Sequence, residues 1–118
     1  MMKVIIAGSR DFTDYSLLCS FADQVLSGCG ETEIVSGGAR GADSMGERYA
    51  RDRGYGLKVF PAEWKKWGRA AGPIRNGQMA DYADVLIAFW DGQSTGTRDM
   101  IRKAEEKGLR VHVQMITV

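Results

Sequence analysis

Three short segments carry the residues best suited to chemistry: Gly8-Ser9-Arg10-Asp11, Ser36-Gly37-Gly38-Ala39-Arg40-Gly41-Ala42-Asp43, and Asp91-Gly92-Gln93-Ser94-Thr95-Gly96-Thr97. Glycines in such turns let the backbone approach a ligand closely and aim consecutive N–H groups at it. The hydroxyls of Ser9, Ser36, Ser94, Thr95 and Thr97 add donors. Where a turn feeds a helix, the unpaired N–H groups and the macrodipole of the first turn favour an anion. The chemistry on offer is therefore recognition of a phosphate-like group.

Arginine placement points the same way. Arg10 and Arg40 precede expected helices, and Arg75 and Arg98 fall in expected first turns. A cation there is unfavourable by roughly 0.3–1 kcal/mol at exposed sites. A bound phosphate reverses the sign and uses the bidentate guanidinium fork. The competing account is pairing with Asp11, Asp43, Asp91 and Asp99 nearby. Those acids could equally cap helices or accept from ribose hydroxyls. The segment Pro61–Gly72 holds Trp64, Trp67, Lys65, Lys66 and Arg69, and reads as a long loop. Its tryptophans either cover a base or sugar or pack down on the helices.

The elements that must position these groups alternate along the chain. Lys3–Ala7, Glu33–Ser36, Leu57–Phe60, Asp84–Trp90 and Arg110–Thr117 read as strands. Asp14–Leu26, Ala42–Arg53, Pro73 to about Tyr82, and Thr97–Lys107 read as helices. Strict alternation implies a three-layer α/β/α domain with a five-stranded, mostly parallel sheet. Right-handed crossovers favour the order 3-2-1-4-5. Ligands bind such sheets at the carboxyl ends of the strands, where the order reverses. All three glycine-bearing turns fall on that rim.

Length and composition fit one domain over residues 1–118, with 44% hydrophobic and 26% charged residues. A net charge of +1 argues against a general nucleic-acid binder. Residues 40–75 nonetheless hold nine Lys/Arg against four acids, a local +5. The longest apolar run, Val85 to Trp90, is far short of a membrane span, and the start of the chain lacks a secretory pattern. A cytoplasmic protein is expected. Cys19 and Cys29 are placed on the apolar stripe of the first helix as buried hydrophobes. With His112 the only histidine, a His-based metal site or a Cys–His dyad is not expected, and neither a metal nor a cofactor is expected for the chain.

Gly8-Ser9-Arg10, the run Ser36 to Asp43, Pro73-Ile74-Arg75-Asn76, then Met79, Ala83, Asp84 and Ser94-Thr95-Gly96-Thr97 together resemble a known family. The sequence is similar to the SLOG superfamily, named for its DNA-processing (Smf/DprA) and LOG members, and to its YspA/YpsA-related branch. Neither GxGxxG nor GxxxxGK[ST] is present, which disfavours hydride chemistry and P-loop hydrolysis. The resemblance implies a Rossmann-like fold, a nucleotide-derived ligand and a homodimer or higher homo-oligomer. The expected function is sensing or sequestering ADP-ribose, a cyclic relative or a nucleoside monophosphate.

Two alternatives follow from the same family. LOG enzymes cleave N-glycosidic bonds with an arginine matched here by Arg75 and a glutamate whose position is Met100. Asp99 is adjacent, but one helical step turns a side chain by about 100°. Arg75 and Asp99 are thus the catalytic candidates if the chain is an enzyme. DprA-like members bind single-stranded DNA through further surfaces. The ligand residues expected are Gly8, Ser9, Arg10, Gly37, Gly38, Arg40, Gly41, Asp43, Arg75, Asn76, Asp91 and Ser94 to Thr97 (Ser94, Thr95, Gly96, Thr97), with Trp64, Trp67 and Arg69 as base or lid contacts.

Overall fold

Val4 and Ile6 point to one face of the first strand and Ile5 and Ala7 to the other, and the two hydrophobic cores follow from that alternation. In the computed structural model this strand, β1 (Met2–Gly8), is the middle of five. The structure describes residues 1–117; residue 118, the end of the expected domain range, lies outside them. The remaining strands are β2 (Thr32–Ser36), β3 (Gly56–Val59), β4 (Val85–Trp90) and β5 (Arg110–Met115). The order is β3-β2-β1-β4-β5 with every pairing parallel, as the alternation of elements required.

Helices cover both faces. Helices α1 (Tyr15–Leu26) and α2 (Ala42–Arg53) place Leu18, Ala22 and Tyr49 on Val4, Ile6, Ile34, Ile87 and Phe89. On the other face, Met79 and Ala80 of α4 (Ala71–Tyr82) and Met100 and Ala104 of α5 (Thr95–Glu106) pack on Ile5, Val35, Leu86 and Ala88. β4 is buried at every position but its last, Trp90, in keeping with its unbroken apolar run. Among the described residues no helix is long and apolar enough to cross a membrane.

Two local readings need correction. The segment Pro61–Gly72 is not irregular: it holds a short helix, α3 (Trp64–Trp67), and a 3-10 turn over Gly68–Ala70 that runs into α4. α4 accordingly starts at Ala71, so Pro73 sits inside the first turn, where its missing N–H would be unpaired in any case. Cys29 is not on α1. The helix ends at Leu26, and Gly28 with φ +78° turns the chain before Cys29; Cys19, which is on α1, and Cys29 are both half-buried rather than buried.

Gly46 shows how closely α2 must lie on β1. A Cβ there would fall 2.9 Å from Ile6 Cβ, whereas one at Gly77 on α4 would meet nothing within 4 Å. Gly46→Ala is expected to destabilise the protein by about 1–3 kcal/mol through overpacking. Gly77→Ala should stabilise it by up to about 1 kcal/mol through helix propensity. Denaturant unfolding of the two variants checks this; equal effects of one sign would contradict the packing.

Candidate functional site

The carboxyl end of β1 is held by close approaches that only glycine permits. A Cβ on Gly8 would sit 2.2 Å from the Phe89 carbonyl oxygen and 3.0 Å from Ala42 Cβ. β1, β4 and the start of α2 therefore converge there. Gly41, with φ +78°, would put a Cβ 2.5 Å from the carbonyl oxygens of both Ser9 and Arg10. The β2–α2 loop thus lies directly on the turn that follows β1. Ser9 is enclosed between these pieces and is 3% exposed. Its N–H bonds the Phe89 carbonyl at 3.0 Å, while its Oγ makes no hydrogen bond within 3.5 Å among the described residues and has the Asp91 carboxylate as its nearby acceptor.

A cleft of about 760 Å³ opens beside Ser9. One wall is the first turn of α5. Ser94 caps that helix by accepting the Thr97 N–H, and the two hydroxyls lie 3.1 Å apart. Asp91 accepts the Gln93 and Ser94 N–H groups at 2.9 and 2.8 Å, and these bonds hold its carboxyl below the ordinary range. The opposite wall is α4, tied to α5 by Asn76. This side chain is 6% exposed and donates to the Gly96 carbonyl at 3.3 Å and to Asp99 at 3.0 Å.

Asn76 also orients Arg75. Its Oδ1 accepts the Arg75 Nε–H at 3.1 Å, and Arg75 Nη1 donates to the Gly37 carbonyl. A Cβ on Gly37 would lie 2.6 Å from Arg75 Nη1 and 2.8 Å from Asp43 Oδ2, so the guanidinium can pass only because that residue is glycine. Burial weakens the hold of Arg75 on its proton, and neighbouring Arg10 acts in the same direction against Asp43. Asp43 itself is 6% exposed and accepts the Ala39 N–H at 3.3 Å.

Charge on this rim is unevenly settled. Arg10, Arg40, Arg69, Arg75 and Arg98 have no carboxylate oxygen within 4.0 Å among the described residues, whereas Arg48, Arg53 and Arg102 are all paired. Pairing with rim acids therefore does not account for these arginines. Asp99 is occupied instead by Arg102 at 2.9 Å and Lys103 at 3.0 Å. Burial pushes its carboxyl up, but hydrogen bonds from Asn76 and Lys103 outweigh that and hold it below the ordinary range.

The structure brings most of the expected residues together and separates some. Gly8, Ser9, Arg10, Asp43, Arg75, Asn76, Asp91, Asp99 and Ser94 to Thr97 line the 760 Å³ cleft, with Trp64 and Arg69 at its α3 side. Gly37, Gly38 and Arg40 line a neighbouring cleft of about 440 Å³. Gly41 and Trp67 line neither, because Gly41 is consumed in the contact with Ser9 and Arg10. Arg98 also leaves the rim, lying 5.7 Å from the Trp90 ring centroid. The Ser36 hydroxyl is turned inward to Glu47 at 2.8 Å and accepts the Gly38 N–H. Met79, part of the motif that carries the resemblance, and Met100, at the position of the LOG glutamate, also line the cleft, though neither was among the expected ligand residues. Ala39 and Gln93 line it as well; both lie in the turns that the sequence singled out but were not among the expected ligand residues.

Comparison with known proteins follows the geometry. The model of the YspA, cpYpsA-related SLOG family matches residues 2–67. Gene 61 protein of Mycobacterium phage D29 is 36% identical over 118 residues, covering 94% of each chain. The X-ray structure of DNA processing protein A (DprA) from Streptococcus pneumoniae aligns with a TM-score of 0.76 at 20% identity. It covers 96% of this chain and 50% of that one, so this chain spans half of DprA and the likeness is one of fold.

Asp43 gives the site a pH signature. Burial pushes its carboxyl up to about 6, with Arg75 only partly offsetting it. The folded state then binds a proton more tightly than the unfolded chain. Stability from this group is complete below pH ~4 and lost as pH rises through about 6. Asp43→Asn should abolish that loss. Unfolding free energies of the two proteins at pH 4 and pH 7 should diverge by on the order of 1–3 kcal/mol, the variant gaining at pH 7. Parallel profiles would contradict the assignment.

Proposed function

The chain belongs to the YspA, cpYpsA-related SLOG family, and from that premise we propose that it binds a phosphate-bearing nucleotide derivative at the carboxyl edge of its sheet. ADP-ribose, a cyclic relative or a nucleoside monophosphate are the ligands in view, and sensing or sequestering them is the role. One observation carries the reading: Arg75 is fixed by Gly37 and Asn76 on the wall of a cleft, with no carboxylate oxygen within 4.0 Å among the described residues and only buried Asp43 acting on it from further off. A guanidinium so placed is only partly compensated until an anion arrives, and an oxyanion can take the Nη–H groups that Asn76 and Gly37 leave free. Buried Ser9, whose hydroxyl makes no bond within 3.5 Å and feels only Asp91, lines the same cleft and supplies the next donor.

Binding is favoured over turnover by the state of the acids. The position of the LOG glutamate is Met100, which is 1% exposed, and Asp99 is engaged by Asn76, Arg102 and Lys103. A carboxylate held by three donors is a poor base for water. Incubation with nucleoside monophosphates is expected to release no free base. The homo-oligomer that the family implies is supported by Leu57 and Val59, exposed at 38% and 39% on edge strand β3.

A second reading has its own observation. Trp64 and Trp67 are 52% and 45% exposed beside Lys65, Lys66 and Arg69, an arrangement that suits stacking on single-stranded nucleic acid. That reading requires affinity falling steeply with salt.

Thermal unfolding with AMP and with ADP-ribose tests the first reading. At a hundredfold excess over Kd, the ligand should raise the unfolding free energy by about 2.7 kcal/mol. Arg75→Ala should fold and lose most of that gain. A gain that persisted in the variant would contradict the assignment of the cleft.

A further inference from the structure

The two clefts on the rim meet at a single partition. The 760 Å³ and 440 Å³ cavities share Arg10, Ala39, Trp64 and Arg75 and no other lining residue. Beyond that partition the smaller cleft is bounded by Gly37, Gly38, Arg40, Pro61 and Ala62. The β2–α2 loop, the most glycine-rich of the three turns, therefore serves mainly the smaller cleft, while the turn after β1 and the starts of α4 and α5 serve the larger one.

Charge and shape assign different tasks to the parts. Arg10 and Arg75 face both cavities and lack carboxylate partners, and Arg40 adds a third unpaired guanidinium in the smaller one. Asp43 feels both Arg75 and Arg10, and Asp11, Asp91 and Asp99 line the larger cleft. The smaller cleft is lined by Arg10, Arg40 and Arg75 and, among the described residues, by no acid, so the excess of positive charge lies at the partition and in the smaller cleft. That suits an anion with more than one charge at the centre of the ligand. In the smaller cleft part of the backbone is already committed: the Gly37 carbonyl accepts from Arg75, and the Gly38 N–H bonds Ser36 Oγ at 3.0 Å. Recognition there falls to the Arg40 guanidinium, the half-exposed Trp64 ring, and the apolar surfaces of Pro61 and Ala62. A flat or sugar-like group fits that set, through stacking and charge-assisted hydrogen bonds.

Resting on the binding reading above, we propose that the ligand is two-armed: a diphosphate bridge at Arg10 and Arg75, one arm in the larger cleft and a second sugar- or base-bearing arm between Arg40, Trp64 and Ala62. A nucleoside monophosphate engages the partition and one cleft only. The smaller cleft is then what separates the two ligand classes, and it does so without touching Ser9 or Asn76.

Isothermal titration with AMP and with ADP-ribose tests this on the wild type, Arg40→Ala and Ala62→Trp. The wild type should bind ADP-ribose at least about tenfold more tightly than AMP. Both variants should weaken ADP-ribose by about tenfold and leave AMP within about twofold, with unfolding of the ligand-free proteins as the control for folding. Should Ala62→Trp fail to fold, Arg40→Ala alone decides. Equal affinity of the wild type for the two ligands, or variants that weaken both or neither, would overturn the two-armed ligand while leaving the binding reading intact. Binding of neither ligand to the wild type would overturn both.

Discussion

An arginine side chain half-buried in a protein ordinarily finds a carboxylate, since desolvating a charge without compensation is costly. Arg75 is denied one. Its Nε–H and one Nη–H are spent on neutral oxygens, the Asn76 side chain and the Gly37 carbonyl, which fix direction without cancelling charge. Asp43 is close enough to be felt but does not come within 4.0 Å, and its own burial raises its hold on a proton. The site is thus a place where positive charge is kept standing.

That arrangement rests on glycines. Gly37 lets the guanidinium and the Asp43 carboxylate pass over the chain, Gly8 lets β1 meet β4 and α2, and Gly41 lets two loops touch. Each removes a side chain from a place where backbone must lie against backbone or against Arg75. Their cost in chain entropy is met by the two apolar cores behind them, in which nearly every alternate residue of β1, β2 and β4 is sealed. The rigid sheet and the open rim are parts of one design: parallel strands bring the starts of α2 and α5 and the turn after β1 to one edge, where an anion can be met by several of them at once.

Much of this was legible in the sequence, because strand alternation and the order of elements are governed by local periodicity. The parallel sheet, its order and the rim on which the turns converge all follow from it. What was not legible depends on the path of the chain between elements. The segment from Trp64 to Ala70 folds as helix and 3-10 turn, which brings Trp64 to both clefts and leaves Trp67 outside them. Arg98 was read as a rim cation, but stacking toward Trp90 draws it off. The fate of Asp99 could have been foreseen, since Arg102 and Lys103 stand three and four residues along the same helix. The burial of Asp43, and with it the division of the rim into two cavities, could not, because it depends on Gly37 and Arg75 meeting across 38 residues of sequence.

The account depends on an anion occupying the place prepared by Arg75 and Ser9, and a crystal structure of the wild-type protein grown with saturating AMP observes this directly. The expected result has a phosphate oxygen at about 2.7–2.9 Å from the Arg75 guanidinium, with the Ser9 hydroxyl donating to the same group. A cleft empty of phosphate under those conditions, or Arg75 turned back to pair with Asp43, would contradict it.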